Sequence, residues 1–383
     1  MKRRGFIVFG ICLVAAWLLQ RHGAEAVWGG LATAAALFGF AVLVFIHELG
    51  HFLGGLLTGM AMPSFQVGFG KPLLSKLVGE TEWKLCPIPL GGAVQFVGED
   101  AGAAGNVLEL AKTPGREALA DERRWFHNAS VGAQLLTLFM GPLFSILTAI
   151  PLFALCFAVW GAQDPDAPPI VASVLADLPA ERAGILADDR IVRLDEKPVA
   201  STRELVDALQ TAGPGHVHLV LERNGEPLAL DLETVEHEGR VVAGLSFAMG
   251  IKRVSAVEAL SLAGRTTMDM VVVQGKGLLQ LVSGKVSTEG LSGPVGILKL
   301  SGESVRQGPE AFLVIMAVIS IAVGVFNLLP IPILDGGRMV LTVLRAIVGK
   351  RAAKFYETPA LLAGLAVILV ILVLATLNDL RSL

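Results

Sequence analysis

The chain has 383 residues, of which 53% are hydrophobic and only 17% are charged, and its mean hydropathy is +0.65. This composition excludes an ordinary soluble globular protein and is typical of a protein that crosses a membrane. The net charge of −3 and the isoelectric point near 6.2 leave no basic footprint, so we expect no nucleic-acid partner.

The chain begins with a short apolar stretch, residues 5–20, which follows Lys2, Arg3 and Arg4. This layout is typical of a signal peptide or of a short N-terminal anchor. Only a weak cleavage-site candidate follows, at residues 23–26. We therefore expect a retained anchor and a loop within residues 1–26.

Four longer apolar windows can each cross the hydrocarbon core of a bilayer, which takes about 20 apolar residues in a helix. They cover residues 27–57, 135–160, 311–334 and 358–377. We therefore predict a polytopic α-helical membrane protein that lies in a lipid bilayer. Its membrane core would have two parts, residues 27–160 and 308–383.

The distribution of Lys and Arg predicts the orientation of these spans. Basic residues are frequent between residues 58 and 128 and again in the loop before the last span, so both segments should be cytoplasmic. The anchor would then run outward and the 27–57 span would return inward. Residues 161–307 would then lie on the outer side of the membrane, away from the cytoplasm.

A strand-like region follows the first long span, within residues 58–100. Its apolar and glycine-containing runs at 65–70 and 87–97 predict β-strands. An exposed strand edge could therefore lie beside the first long span.

Residues 166–238 have the alternating pattern of a small α+β domain. Strands are predicted at 170–174, 190–194, 216–223 and 228–232, with a helix at 202–210 capped by Ser201 and a hairpin turn at Asn224-Gly225. The stretch 179–191 resembles a bacterial PDZ domain, although Asp188 stands where a glycine is usual. PDZ domains bind extended peptides by strand addition, so the resemblance implies a peptide-binding module. The alternative is a small β domain that merely fills space.

Residues 239–307 are predicted to link this domain to the second membrane part. Within them, residues 255–284 are amphipathic but carry Arg265, Asp269, Gln274 and Lys276. We expect a helix on the outer membrane surface. A partly buried core helix is the competing interpretation.

The first long span contains His47, Glu48 and His51, the spacing of an HExxH motif. Positions four apart lie on one face of a helix, so the two imidazoles can converge on one metal ion. Glu48 would then act as the general base for the attacking water. Ionisable groups within a span are costly and rarely lack a function. The alternative, a packed pair of histidines, leaves Glu48 unexplained.

A catalytic zinc needs three protein ligands and one open position. Asp335 is the best third candidate, since the other histidines lie in loops, at a span boundary or in the outer block. It ends the run 327–335, whose prolines, with Gly336-Gly337, should break the helix. Irregular backbone at membrane depth is tolerated where it lines a wet cavity. An ordinary span end is the alternative.

Together these motifs resemble the site-2 protease family, peptidase family M50, specifically the bacterial RseP-type intramembrane zinc metalloproteases. The resemblance covers most of the chain from about residue 40. It rests on HELGH at 47–51, the glycine-containing segment 67–71, the Ile-Pro-Leu-Gly-Gly-Ala-Val run at 88–94, Gly141-Pro142, the PDZ stretch, Ser292-Gly-Pro-Val-Gly-Ile, and the Asn-x-x-Pro-x-Pro-x-Leu-Asp-Gly-Gly run that ends at Gly337.

The resemblance implies Zn²⁺ as the cofactor, Glu48 as the general base and three metal ligands, His47, His51 and Asp335. It also implies substrate positioning by Asn327, Pro330 and Pro332. The strand at residues 87–97, with Gly91 and Gly92, would correspond to a membrane-associated β element near the substrate. The implied substrates are transmembrane segments of single-span proteins, such as anti-sigma factors or remnant signal peptides. The implied location is the bacterial inner membrane, with the PDZ-like domain outside the cytoplasm.

Three departures from the family pattern stand out. Ser145 occupies a place where an asparagine is common after the Gly-Pro pair. One PDZ-like module is recognisable, whereas some relatives have two, and residues 1–20 precede the point where many relatives begin.

The rival interpretation is a non-proteolytic membrane scaffold that binds peptides through its PDZ-like domain and holds a structural metal. A closed structural site would need a fourth ligand, and none accompanies these motifs. A metal transporter should carry ionisable residues on several spans. A protease of the CAAX-processing type would want a glutamate ligand downstream and no PDZ module.

Overall fold

The computed structural model describes residues 2–99, 108–237, 240–283 and 293–381. Ser292 and the last residues of the expected β region lie outside the described residues. The chain divides into two compact units, residues 1–156 with 260–383, and residues 157–259. The second unit extends beyond the predicted domain 166–238 at both ends.

The first unit begins with one continuous helix, α1, over Lys2–Thr58. The expected arrangement of an anchor, a loop within residues 1–26 and a returning span is therefore wrong, because an uninterrupted helix cannot reverse direction. At 1.5 Å per residue this helix is about 85 Å long. The supposed loop contains Ala24, Glu25 and Ala26, which favour helix, and one glycine costs only about 1 kcal/mol.

Four helical segments in the described part of the chain are long and apolar enough to cross a membrane. They are Trp28–Thr58 of α1, Val131–Trp160 (α2), Pro309–Asn327 within the second half of the chain, and Phe355–Arg381 near its end. These segments correspond to the four predicted windows. The first unit is therefore the membrane part of the protein.

A four-stranded sheet follows α1, as the sequence predicts for this region. Its strands are Ser64–Phe69 (β1), Leu74–Val78 (β2), Thr81–Leu85 (β3) and Ile88–Gln95 (β4), in the order β2-β3-β1-β4. β1 pairs in parallel with β3 and antiparallel with β4, and Phe65 lies opposite both Trp83 and Val94. β4 is thus an edge strand. Three short 3-10 turns, Glu117–Ala120, Glu122–Arg124 and Phe126–Asn128, lead from this region into α2.

The second unit is a small α+β domain. It contains β5 (Ala162–Asp164), β6 (Val171–Val174), α3 (Pro179–Arg182), β7 (Arg190–Leu194), β8 (Lys197–Pro198), α4 (Thr202–Ala212), β9 (Gly215–Arg223), β10 (Glu226–His237), β11 (Arg240–Val242), β12 (Leu245–Phe247) and β13 (Gly250–Lys252). Five strands form a sheet in the order β11-β10-β9-β7-β8, while β12 pairs with β6 and β13 with β5. Its core is apolar and includes Ile191, Leu205 and Leu219, all fully buried.

Local signals in this unit agree with the sequence. The Ser201 side chain accepts a hydrogen bond from the Glu204 N–H and so caps α4. Asn224 and Gly225 have φ angles of 54° and 86°, as a two-residue hairpin turn between β9 and β10 requires. Asp188 has a φ of 69°, which explains why a glycine is usual at this position.

The prediction of a linker region over residues 239–307 is wrong for residues 240–252, because their backbone completes strand pairs of the second unit. Helix α5 then covers Ala256–Val282. The Gln274 side chain donates a hydrogen bond to the Val318 carbonyl, so α5 contacts a core helix along part of its length. This contact favours the partly buried helix that competed with a purely superficial one.

The second half of the membrane part contains α6 (Pro294–Gln307), α7 (Pro309–Asn327), α8 (Asp335–Val348) and α9 (Lys350–Arg381). The buried Asp379 carboxylate of α9 accepts hydrogen bonds from the N–H groups of Gly293 and Gly296, at 2.9 and 2.8 Å. It therefore caps α6, which has no side-chain cap of its own. A Cβ at Gly293 would lie only 2.6 Å from Asp379 Oδ2, which accounts for the glycine in the Gly-Pro-Val-Gly run.

The third span ends earlier than predicted. Helix α7 stops at Asn327, before the prolines, rather than at residue 334. Gly336 and Gly337 do not break a helix, because they lie in the first turn of α8. Glycine is required at these positions for close packing. A Cβ at Gly336 would collide with the Leu328 carbonyl, and a Cβ at Gly337 would collide with the Ile331 carbonyl, both in the preceding loop.

Candidate metal centre

Helix α1 presents His47, Glu48 and His51 from an otherwise apolar segment. Histidines four residues apart lie on one face of the helix, one turn from each other. All three side chains are buried, with at most 9% of each residue exposed. Burial of three ionisable groups within a span is costly unless partners compensate it.

Asp335, nearly 290 residues later in the chain, lies beside His47 and His51. The irregular loop after α7 ends at Leu334, and Asp335 is the first residue of α8. Gly336 and Gly337 let the first turn of α8 pack directly on the carbonyls of this loop. The close packing fixes the position of the Asp335 carboxylate, which is buried.

Three ligand atoms form a nearly equilateral triangle. The two Nε2 atoms of His47 and His51 are 3.2 Å apart, and each lies 3.3 Å from Asp335 Oδ2. Donor atoms about 2.0–2.1 Å from one tetrahedral ion are roughly 3.3–3.4 Å apart. The triangle therefore has the size that zinc requires, and His47, His51 and Asp335 are the one metal-capable group within the described residues.

The outer nitrogens of both rings are held by the protein. His51 Nδ1 lies 2.9 Å from the Thr137 carbonyl, which can only accept, so this nitrogen carries the proton and Nε2 keeps its lone pair. His47 Nδ1 lies 2.9 Å from Ser145 Oγ. Asp335 Oδ2 has no hydrogen-bond donor, although it is buried. Electron pairs that converge in this way call for a cation between them, so the residues fit a zinc ion.

Glycines let the helices approach closely around the two histidines. A Cβ at Gly141 of α2 would overlap the His51 imidazole ring. Across the same contact, a Cβ at Gly54 of α1 would lie 2.9 Å from Thr137 Cα. The Ser320 hydroxyl of α7 donates to the Ser145 carbonyl at 2.7 Å. Helices α1, α2 and α7 are thus joined behind the metal ligands.

Glu48 lies against the edge of the sheet. Its Oε2 accepts a hydrogen bond from the Val94 N–H of β4, at 3.1 Å. A Cβ at Gly92 would lie 2.6 Å from Glu48 Cγ, so this glycine makes room for the carboxylate. The strand edge and the proposed base are therefore in direct contact.

The site opens into a cavity of about 690 Å³. Apolar residues of several spans line it, together with Gly91 and Gly92 of β4 and the Asn327 side chain. Polar residues of α8, including Arg338 and Thr342, continue its lining beyond Asp335, and Arg338 forms an ion pair with Glu99. The cavity lining is therefore polar on the α8 side, next to Asp335.

The chain matches the sequence profile of Peptidase family M50 over residues 35–371. The chain belongs to peptidase family M50. This match covers the HExxH helix, the sheet, the second unit and the Asp335 loop together. It confirms the resemblance to the site-2 proteases that the motifs indicated.

Two relatives show the same relationship along nearly their whole length, and both carry the name "putative zinc metalloprotease". The relative from Rhizobium meliloti (strain 1021) is 32% identical over 363 residues, which is 90% of this chain and 95% of the relative. The relative from Rickettsia conorii (strain ATCC VR-613 / Malish 7) is 31% identical over 90% of this chain and 96% of its own. This M50 member is therefore a zinc metalloprotease of the site-2 protease family.

A solved structure is similar to part of the chain. It is the PDZ domain of the SdrC-like protein of Listeria monocytogenes, which is 21% identical and covers 22% of this chain and 92% of its own, with a TM-score of 0.20.

The predicted M50 site residues separate into two groups. The structure brings His47, Glu48, His51 and Asp335 together, and Gly91, Gly92 and Asn327 line the same cavity. Pro330 and Pro332 do not belong to the described cavity lining. They shape the loop before Asp335, where Pro332 packs within 3.2 Å of the Cβ position at Gly364 of α9. A direct role in substrate contact is therefore not supported for these two prolines.

The sequence did not assign a role to four M50 residues that hold the site in place. They are Thr137, Gly141, Ser145 and Val94, which contact the two histidines or Glu48. Gly141 belongs to the Gly-Pro pair that carries part of the family resemblance, and Ser145 is the departure from the asparagine that is common after this pair. The contacts of Thr137 and Val94 use backbone atoms, so no side-chain pattern could have revealed them.

Proposed function

We propose that this M50 metalloprotease is an intramembrane protease that hydrolyses a peptide bond in the transmembrane segment of a single-span protein. The observation that carries the proposal is the contact between Glu48, the ligand triangle and the β4 edge, within helix segments apolar enough to span the bilayer. Cleavage of a water-soluble substrate would not require the catalytic groups to lie within span-forming helices.

His47, His51 and Asp335 would hold the zinc ion. Bound there, zinc would polarise the scissile carbonyl and lower the pKa of the attacking water. Glu48 accepts a proton from that water as its oxygen forms a bond to the carbonyl carbon. The same carboxyl group then delivers the proton to the amide nitrogen as the C–N bond breaks. The Val94 N–H keeps Glu48 in place during both transfers.

The free edge of β4 would hold the substrate in an extended conformation. A transmembrane helix hides its backbone in its own hydrogen bonds, so it must unwind locally before water can attack. Strand addition to β4 would supply new partners for the exposed N–H and C=O groups. Gly91 and Gly92 line the cavity at this edge, and the Asn327 amide, which donates to the Val323 carbonyl at 2.9 Å, borders the same cavity.

The second unit would act as a PDZ-like module that binds peptide and excludes substrates with large outer domains. Anti-sigma factors and remnant signal peptides are substrates of the proposed kind. The protein would lie in a bacterial inner membrane, with the second unit outside the cytoplasm. Labelling of a Lys197→Cys variant in intact cells by a membrane-impermeant maleimide tests this orientation, since Lys197 lies on β8 of that unit.

The decisive experiment compares wild type with Glu48→Gln in vesicles that contain a tagged single-span protein with a shortened outer domain. Glu109→Gln is the matched control, because it removes an exposed carboxylate that does not belong to the cavity lining. We expect Glu48→Gln to retain zinc and lose cleavage by at least about 10²-fold, while the control behaves as wild type. Cleavage by Glu48→Gln at the wild-type rate would reject the proposal in favour of a PDZ scaffold with a structural metal.

A further inference from the structure

A second apolar groove lies on the sheet, away from the ligand triangle. It has a volume of about 540 Å³ and lies between Phe45 of α1 and strands β1, β2 and β3. Its base is aromatic: Phe65 stacks on Trp83 with ring centres 4.3 Å apart, and the rings of Phe45 and Phe65 meet edge to face at 5.7 Å.

The strands beside this groove expose large apolar side chains. Leu74 and Val78 of β2 are 67% and 54% exposed, Leu73 just before β2 is 65% exposed, and Leu85 of β3 is also exposed. Leu74 and Leu85 line the groove itself, and exposed apolar surface beside a groove favours an apolar partner. Phe45, which forms one wall, belongs to the candidate span Trp28–Thr58. The groove therefore lies alongside a membrane helix, where acyl chains are the available apolar partner.

Charge selects the kind of lipid. Lys76 and Lys84 line the groove, and Lys76 is exposed. The neighbouring carboxylates have partners: Glu80 receives two hydrogen bonds from Arg124, each 2.7 Å long, and Glu82 pairs with Lys84 at 3.2 Å. Within the described part of the chain, no carboxylate lies within ion-pair distance of Lys76. An apolar groove with an uncompensated cation at its rim is complementary to an anionic amphiphile.

We propose that this groove binds one acyl chain of an anionic phospholipid, with the phosphate group at Lys76. The inference does not depend on the proposed intramembrane proteolysis. It does connect to the site, because Phe65 lies between Trp83 on β3 and Val94 on β4 in the sheet register. A lipid on Trp83 would support the strand whose Val94 N–H holds Glu48.

Trp83 provides a direct reporter for this lipid. The full chain, with Trp17, Trp28, Trp125 and Trp160 changed to Phe, is placed in phosphatidylcholine vesicles. Equal small amounts of brominated phosphatidylglycerol or brominated phosphatidylcholine are then added, since bromine quenches tryptophan fluorescence on contact. We expect brominated phosphatidylglycerol to quench Trp83 more strongly. Lys76→Glu should remove this preference, because one lysine near an anionic lipid contributes about 1 kcal/mol, or roughly fivefold in occupancy.

Two controls separate a bound lipid from general membrane contact. A single-tryptophan protein that keeps Trp125 should show no preference, because this side chain is buried and its Nε1–H donates to the Leu119 carbonyl. Lys112→Glu, which reverses an exposed lysine outside the groove, should leave the Trp83 result unchanged. Zinc content and circular dichroism of each variant establish that it is folded.

Equal quenching of Trp83 by the two brominated lipids would overturn the anionic preference. Absence of quenching at Trp83 would overturn lipid occupancy altogether and favour a protein partner or a second copy of the chain. Native mass spectrometry of the wild-type protein gives an independent readout: co-purified phosphatidylglycerol should be present and should decrease about fivefold in Lys76→Glu.

Discussion

Asp189 in the second unit and Asp335 in the membrane part are both buried, but their environments are opposite. Asp189 in the second unit accepts hydrogen bonds from Arg223 Nε and Nη2 and from the Leu186 N–H, at 2.7–2.8 Å. Asp335 in the membrane part has an Oδ2 atom without a donor, directed at two imidazole nitrogens. A buried carboxylate whose hydrogen bonds are all made stabilises the fold, whereas a buried carboxylate oxygen that lacks a donor and faces two imidazole nitrogens marks a site for a cation.

The largest effect is expected from Asp335→Asn. An amide is a poor zinc ligand and contributes no charge, so zinc and proteolysis should both be lost. Zinc content by mass spectrometry and cleavage of a tagged substrate check this outcome. Asp189→Asn is the matched control. It should keep zinc and proteolysis, because the Asp189 carboxylate is hydrogen-bonded by Arg223 and Leu186 and does not face the metal ligands. Zinc retention by Asp335→Asn would show that Asp335 is not a metal ligand.

Gly141→Ala should be nearly as damaging to the metal site. The added methyl group would overlap the His51 ring and force it away from the other ligands. We expect zinc affinity to fall by about 10- to 100-fold, as measured by competition with a chelator. Gly132→Ala, on the same helix with open space around its Cβ position, is the control. Equal affinity in the two variants would show that the close approach of α2 is dispensable.

Ser145→Ala should weaken zinc binding by about tenfold, since it removes the hydrogen-bond partner of His47 Nδ1. The same chelator competition measures this change. Ser145→Asn should restore most of the affinity, because an amide oxygen can accept the same hydrogen bond. Failure of the asparagine variant, with a normally folded protein, would assign Ser145 to packing alone.

Asp189→Asn should instead destabilise the second unit, by about 1–3 kcal/mol, while the zinc site is unaffected. The hydrogen bonds from Arg223 lower the pKa of the Asp189 carboxyl below its ordinary value. The stabilisation is therefore complete above about pH 4 and is lost as the pH falls through the lowered pKa. Hydrogen exchange of β7 and β9 in the full chain should show this acid sensitivity in wild type and not in the variant.

Asp188→Gly is expected to have the smallest effect. Asp188 adopts a φ of 69°, which glycine reaches without strain, but glycine also makes the unfolded chain more flexible. The free energy of unfolding of the second unit should change by less than about 1 kcal/mol. A change larger than that would indicate a side-chain role for Asp188 that the family's usual glycine cannot fill.

Much of the metal site could be predicted because its chemistry depends on residue type and short spacing. His47 and His51 are one helical turn apart, and Asp335 belongs to a specific motif. The groups that orient these ligands could not be predicted, since the contact between His47 and Ser145 depends on how closely α1 and α2 pack. The helical path through residues 20–30 was also missed, because polar residues there suggested a loop while the backbone propensity favoured helix.

The second unit was predicted well where signals are local. The Ser201 cap, the Asn224-Gly225 turn and the strands β7 and β9 follow from adjacent residues. Its C-terminal boundary was missed, because β12 and β13 are short strands that pair with segments far back in the chain. Three-residue strands carry too little periodicity to be recognised without their partners.

The most direct test of the account is X-ray absorption spectroscopy at the zinc edge on purified Glu48→Gln protein. We predict a first shell of nitrogen and oxygen at about 2.0–2.1 Å, with the outer-shell scattering of two imidazoles. The same spectrum recorded on the wild-type protein should show the same two histidines, because Glu48 is assigned as a base and not as a ligand. A sulfur ligand at about 2.3 Å, or a shell without histidine, would contradict the assignment of His47, His51 and Asp335.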